Sequence, residues 1–133
     1  MSTDRCPCGS RREYAECCGP YHRGGAAPTA EALMRSRYSA FARNLAPYLL
    51  GTWHPSTRPD HLELDAGITW RALQIVDTVD GAAGDDAGVV EFRAVARTAD
   101  GERLEQHERS TFTRVQGRWL YVDGGTGPLV RDR

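Results

Sequence analysis

Between residues 30 and 45 the apolar positions recur every three or four residues. Ala30, Met34, Tyr38, Phe41 and Leu45 fall on one stripe at about 100° per residue. Thr29 offers an N-cap oxygen and Glu31 an acid in the first turn, so a helix is predicted over Ala30–Asn44. Arg37 falls inside the apolar stripe. A guanidinium keeps its proton, so an inward Arg37 requires a carboxylate or a bound anion, unless its stem carries the head past Phe41 to water. Pro47 opens a shorter helix through Tyr48, Leu49, Leu50 and Trp53, stopped by His54-Pro55.

From Ile68 onward the period changes to two. β-Branched and aromatic residues alternate with polar ones, and turn-forming residues fall at 80–87, at Ala99-Asp100-Gly101 and at Gln116-Gly117. This pattern predicts a four-stranded antiparallel meander under the helices, an α+β architecture. A three-residue loop with Gly101 left-handed pairs Thr98 with Glu102, Ala96 with Leu104, Phe92 with Glu108 and Glu91 with Arg109. A two-residue turn at Gln116-Gly117 pairs Phe112 with Tyr121 and Ser110 with Asp123. One face then carries Val90, Phe92, Ala94, Ala96, Leu104, Glu108, Ser110, Phe112, Trp119, Tyr121 and Asp123. Acids on a core-directed face are costly unless paired. Arg37 is therefore expected to pair with Asp123 or Glu108, at a modest pocket where Tyr38, Phe92, Phe112 and Tyr121 meet it.

Charge and composition narrow the partners. With 17 basic and 18 acidic residues the net charge is −1, which supplies no field for a nucleic acid backbone or an anionic bilayer. Every basic residue is arginine, a compositional bias of the whole chain rather than a phosphate site. Mean hydropathy is −0.55 and no run approaches the length of a membrane span. The start lacks an apolar secretory core, so a cytoplasmic location is expected, where thiols stay reduced or bind metal. Arg93, Arg97, Arg103 and His107 make the outer sheet face hydrophilic, consistent with a monomer or a weak homodimer.

The cysteines change the picture most. Cys6, Cys8, Cys17 and Cys18 lie within thirteen residues and no other cysteine follows. Four thiolates this close suit a closed tetrahedral zinc site, structural rather than hydrolytic because no position is left open. Gly19-Pro20 turns the chain so that adjacent Cys17 and Cys18 can share an ion, Gly9-Ser10 permits a tight reversal, and Arg11-Arg12 offsets the negative charge. His22 stands as an alternative fourth ligand. The Arg23–Pro28 stretch is expected to be a flexible joint, dividing a knuckle at 1–25 from an α+β domain at 26–133.

The segment from Cys6 through Gly9-Ser10-Arg11-Arg12 to Cys17-Cys18 closely resembles the SEC-C motif at the end of the SecA translocation ATPase. The resemblance widens to the YchJ family through Cys17-Cys18-Gly19-Pro20-Tyr21, Leu33-Met34-Arg35-Ser36-Arg37-Tyr38, Thr52-Trp53-His54-Pro55, Glu108-Arg109-Ser110-Thr111-Phe112 and Trp119-Leu120-Tyr121-Val122-Asp123-Gly124. It implies a SEC-C zinc element followed by a nuclear transport factor 2-like (cystatin-like) α+β domain with a curved sheet. It also implies contacts with a chaperone, ribosome-associated or translocation partner through the knuckle. A binding or adaptor module is the preferred reading. The alternative is an isomerase, dehydratase or hydrolase with Asp123 or Glu108 as general base and Tyr121 or His54 as hydrogen-bond donor. A third possibility is that the knuckle caps one edge of the domain and contributes folding energy.

Overall fold

The computed structural model describes residues 5–65, 67–124 and 130–131. A short helical turn, α1 (Gly19–His22), follows the cysteines, and helices α2 (Ala30–Ala42) and α3 (Ala46–Gly51) follow in turn. At the start of α2 the Thr29 Oγ1 accepts the Ala32 N–H at 3.0 Å. Asn44, at φ +61°, ends it two residues earlier than predicted: the Leu45 N–H reaches back to the Ala40 carbonyl and the Asn44 N–H to that of Phe41. This is the left-handed closure that asparagine tolerates after a helix.

Strands β1 (Thr69–Asp80), β2 (Ala87–Arg97), β3 (Arg103–Val115) and β4 (Arg118–Gly124) form an antiparallel sheet in chain order, and a short β5 (Val130–Arg131) pairs with β3. The β2–β3 register is the expected one: Phe92 faces Glu108, Glu91 faces Arg109 and Ala96 faces Leu104. Gly101 takes φ +87° in the three-residue loop, and Gln116 and Gly117 are both left-handed in the two-residue turn.

The β3–β4 ladder departs from expectation after Phe112 and Tyr121, which do pair. A bulge leaves Val122 without a partner, so Thr111 pairs with Asp123 and Ser110 with Gly124. Asp123 is consequently exposed rather than core-directed. Two further irregularities in β1, at Trp70/Ala72 and Ile75/Asp77, add to the curvature of the sheet.

The core lies between α2 and the concave sheet face, where Leu33, Met34, Tyr38, Val90, Phe92 and Phe112 are buried. Helix α2 is buried on its other side too. Ser36, Ser39 and Ala40 are fully enclosed because the cysteine segment packs there, and Cys6, Cys8 and Cys18 belong to the same apolar cluster as Leu33 and Met34. The joint after the knuckle is pinned rather than free. Arg118 donates to the Gly24 carbonyl at 3.1 Å, Trp119 Nε1 donates to the Pro28 carbonyl at 3.3 Å, and Ala27 is buried. Among the described residues no helix is long and apolar enough to cross a membrane.

Candidate functional site

Two features carry chemistry. The first is the cysteine quartet. The Cys6 N–H binds the Arg12 carbonyl, closing a loop whose turn holds Gly9 at φ +84°, and a helical turn at Tyr14–Glu16 then delivers Cys17 and Cys18. The four sulfurs lie within 4.8 Å of one another, with Cys8 and Cys17 at 3.6 Å. All four are free of disulfides, and all but Cys17 are buried. Hydrogen bonding from Cys18, then Cys8, pulls the Cys6 thiol far down, and the same contact with Cys6 pushes Cys18 up. Such a cluster, sharing protons among soft donors, can hold a metal ion.

The surroundings correct part of the sequence reading. Ser10 Oγ lies 3.1 Å from Cys17 Sγ, and Ser39 Oγ of α2 lies 3.4 Å from Cys6 Sγ. Positive charge arrives from α2 rather than from Arg11-Arg12: Arg35 donates to the Cys8 carbonyl at 3.0 Å and pairs with Glu31. Arg11 and Arg12 are exposed, and Arg12 donates to the Glu16 carbonyl. His22 is not part of the cluster. Nδ1 contacts the Tyr14 hydroxyl at 2.5 Å within the knuckle and Nε2 the Ser36 carbonyl of α2 at 2.8 Å, so both nitrogens are committed and the second ties the knuckle to α2.

The second feature is a cavity of about 310 Å³ between α2 and the sheet. Of the residues expected there, Arg37, Tyr38, Phe92, Glu108, Tyr121 and Asp123 line it. Ser110 and Phe112 sit behind that wall: Ser110 donates to Glu108 at 3.0 Å, and Phe112 packs edge-on against Tyr121. His54 lies outside, its N–H on the Tyr121 carbonyl and its Nδ1 accepting from the Ser56 N–H. The lining also includes Trp53, Trp70, Gln106 and Gly124. Gln106 was legible by alternation, two residues before Glu108. Gly124 was not, because only the bulge turns it inward.

Arg37 is 4% exposed. Its expected ion pair with Glu108 or Asp123 is replaced by other partners. Nη1 donates to the Leu49 carbonyl at 2.8 Å and to Thr52 Oγ1 at 2.7 Å, while the guanidinium carbon sits 5.2 Å from the Trp53 ring centre and 4.6 Å from that of Tyr121. The Leu49 carbonyl lies in the last turn of α3 and needs a donor, and the two ring faces stabilise the charge. Burial lowers Arg37 to about 10, opposed by Tyr121, Tyr48 and Glu108, so it remains cationic at neutral pH. Glu108, 6% exposed, accepts from Gln106 Nε2 at 2.6 Å and from Ser110. Burial pushes the Tyr121 phenol up to about 12. A Cβ built on Gly124 would overlap the Glu108 carboxylate, so glycine is what lets that carboxylate lie against the β4 backbone. The other walls are aromatic, with Trp70 against Tyr38 and Phe41.

This pairing of a cysteine knuckle with a cavity-bearing α+β domain matches known families over nearly all the chain. Residues 29–124 match the model of the YchJ middle NTF2-like domain, and residues 3–20 match the SEC-C motif. The chain belongs to the YchJ family. Relatives in the family, named UPF0225 proteins, include one from Streptomyces coelicolor, 56% identical over 125 residues, which cover 93% of this chain and 97% of the relative. Another, from Xanthomonas oryzae, is 50% identical over 92% of this chain and 95% of its own length. Among solved structures, a SEC-C motif containing protein from Rhodopseudomonas palustris has a TM-score of 0.78 at 34% identity, covering 92% of this chain and 98% of that one. A second, from Psychrobacter arcticus, has a TM-score of 0.72 at 31% identity, covering 89% and 80%. The NTF2-like fold expected from the sequence is thus the fold of the YchJ chain described above.

Proposed function

We propose that the protein is a zinc-stapled receptor for a small molecule: the quartet holds one structural zinc ion, and the α+β cavity takes the ligand. The observation that carries this is that one helix serves both features. Arg35 and Ser39 of α2 contact the knuckle, while Met34, Arg37 and Tyr38 line the cavity. The donor set fits zinc. Tetrahedral Zn–S bonds of about 2.3 Å place sulfurs about 3.8 Å apart, and Cys8 and Cys17 stand at 3.6 Å. When bound, the ion would neutralise thiolates and crosslink the loop, with no open position for a reactant. The cavity has the size and mixed lining of a small-molecule site.

Chelation of the purified protein tests the linkage. Removing the metal is expected to lower the thermal midpoint by well over 10 °C and to abolish binding of a naphthalene probe seen by NMR at Phe92 and Tyr121. A metal-free protein that keeps its midpoint and its probe binding would overturn the reading. Docking of a protein or ribosome-associated partner falls, on this reading, to the exposed strip of Arg11, Arg12 and Glu13, because the cysteines themselves face the domain. A catalytic role in the cytoplasm would fall to Glu108 with Tyr121, which share the cavity with Arg37, and not to His54.

A further inference from the structure

The cavity's polar end holds two buried ionic groups of opposite sign that do not pair. Arg37 spends only Nη1 on the protein, and among the described residues its Nε and Nη2 make no hydrogen bond. Glu108 accepts one donor on each oxygen, and a carboxylate oxygen has room for a second. Arg37 and Glu108 face the same cavity, within Coulombic range but without an ion pair. Unspent donors on one side and unspent acceptors on the other define what fits between them.

A carboxylate ligand would satisfy Arg37 but meet Glu108, and Asp123 at the rim, with like charge. An ammonium ligand would satisfy the acids but meet the buried guanidinium. A neutral group presenting a carbonyl beside an N–H satisfies both without adding charge. Gly124 makes room for the Glu108 carboxylate at this end, since a Cβ there would strike it. The remaining walls, Tyr38, Phe92 and Trp70, favour a flat apolar body.

Building on the receptor reading above, we propose that the cavity selects a neutral planar ligand with a carboxamide or cyclic-amide edge, its carbonyl on Arg37 and its N–H on Glu108. The test holds the body constant and varies the head. Naphthalene-2-carboxamide, 2-naphthoate, 2-(aminomethyl)naphthalene and 2-methylnaphthalene are titrated into the zinc-loaded full chain and followed by NMR. The carboxamide is expected to bind at least tenfold more tightly than each of the others. In Glu108→Gln, which keeps the volume and removes the charge, naphthoate affinity is expected to rise at least fivefold. Naphthoate or the amine binding as tightly as the carboxamide in the wild type would overturn the proposal and leave the receptor reading intact. Binding of none of the four would overturn the receptor reading itself. If Glu108→Gln does not fold, the wild-type ranking decides.

Discussion

Replacing Arg37 with methionine separates two accounts of how a buried cation is held. Methionine fills most of the stem's volume and removes the guanidinium. Two hydrogen bonds from a charged donor are lost, contributing about 3 to 4 kcal/mol together, with about 1 to 2 kcal/mol from the two ring contacts. Against this, the cost of burying the charge disappears. Burial is the largest influence on Arg37 and lowers it, with Tyr121, Tyr48 and Glu108 opposing, and the desolvation cost that disappears is on the order of several kcal/mol. The net loss is therefore expected to be only about 1 to 3 kcal/mol, read as a shift in urea midpoint at unchanged slope. The same measurement on Glu108→Gln and the double variant should give a coupling energy below about 1 kcal/mol, because the groups do not touch. Had Arg37 and Glu108 formed a buried ion pair, breaking it would cost about 3 to 5 kcal/mol. A coupling of that size would refute the account built on the Leu49 carbonyl, Thr52 and the rings.

Two further substitutions test the lock between knuckle and helix. Burial lowers the His22 imidazole below its ordinary 6.5, so as pH falls below 6.5 the unfolded chain takes up its proton before the folded one and stability declines. Between about pH 7.5 and 5.5 the wild type should lose up to about 1 kcal/mol more than His22→Gln; equal slopes in paired urea titrations would show that His22 does not titrate as described. Thr29→Ala removes the oxygen that caps α2 and should cost about 1 kcal/mol, with a matching drop in the thermal midpoint.

Much of this was legible because local chemistry and long-range pairing agreed. Gly101 sets the β2–β3 loop, and the Glu91–Arg109 match marks the register by charge. The β3–β4 pairing failed beyond Phe112 because a bulge leaves no mark in Tyr121-Val122-Asp123-Gly124, which alternates as a regular strand would. The sulfur quartet was plain from spacing, but its burial was not, since a short polar segment reads as surface. The available signal was Ser36, Ser39 and Ala40, three small residues on α2 that let the knuckle approach closely. The apolar stripe turns Arg37 inward, as the structure does, but its partners are not side-chain acids. The donor requirement of a helix's last turn, which satisfied it, does not depend on the identity of Leu49.

The unpaired Val122 makes the inward chemistry of β4 a matter of counting. Were Val122 to take Thr111 as its partner and the ladder to run on without the bulge, Asp123 would fall opposite Ser110 and beside Glu108, where two carboxylates would crowd the space that a hydrogen atom on Gly124 now occupies. The end wall of the cavity is therefore set by a register shift as much as by any side chain. Across sequences built on this plan, loss of the bulge with all residues of the final hairpin kept would alter what the interior accepts more than most point substitutions would.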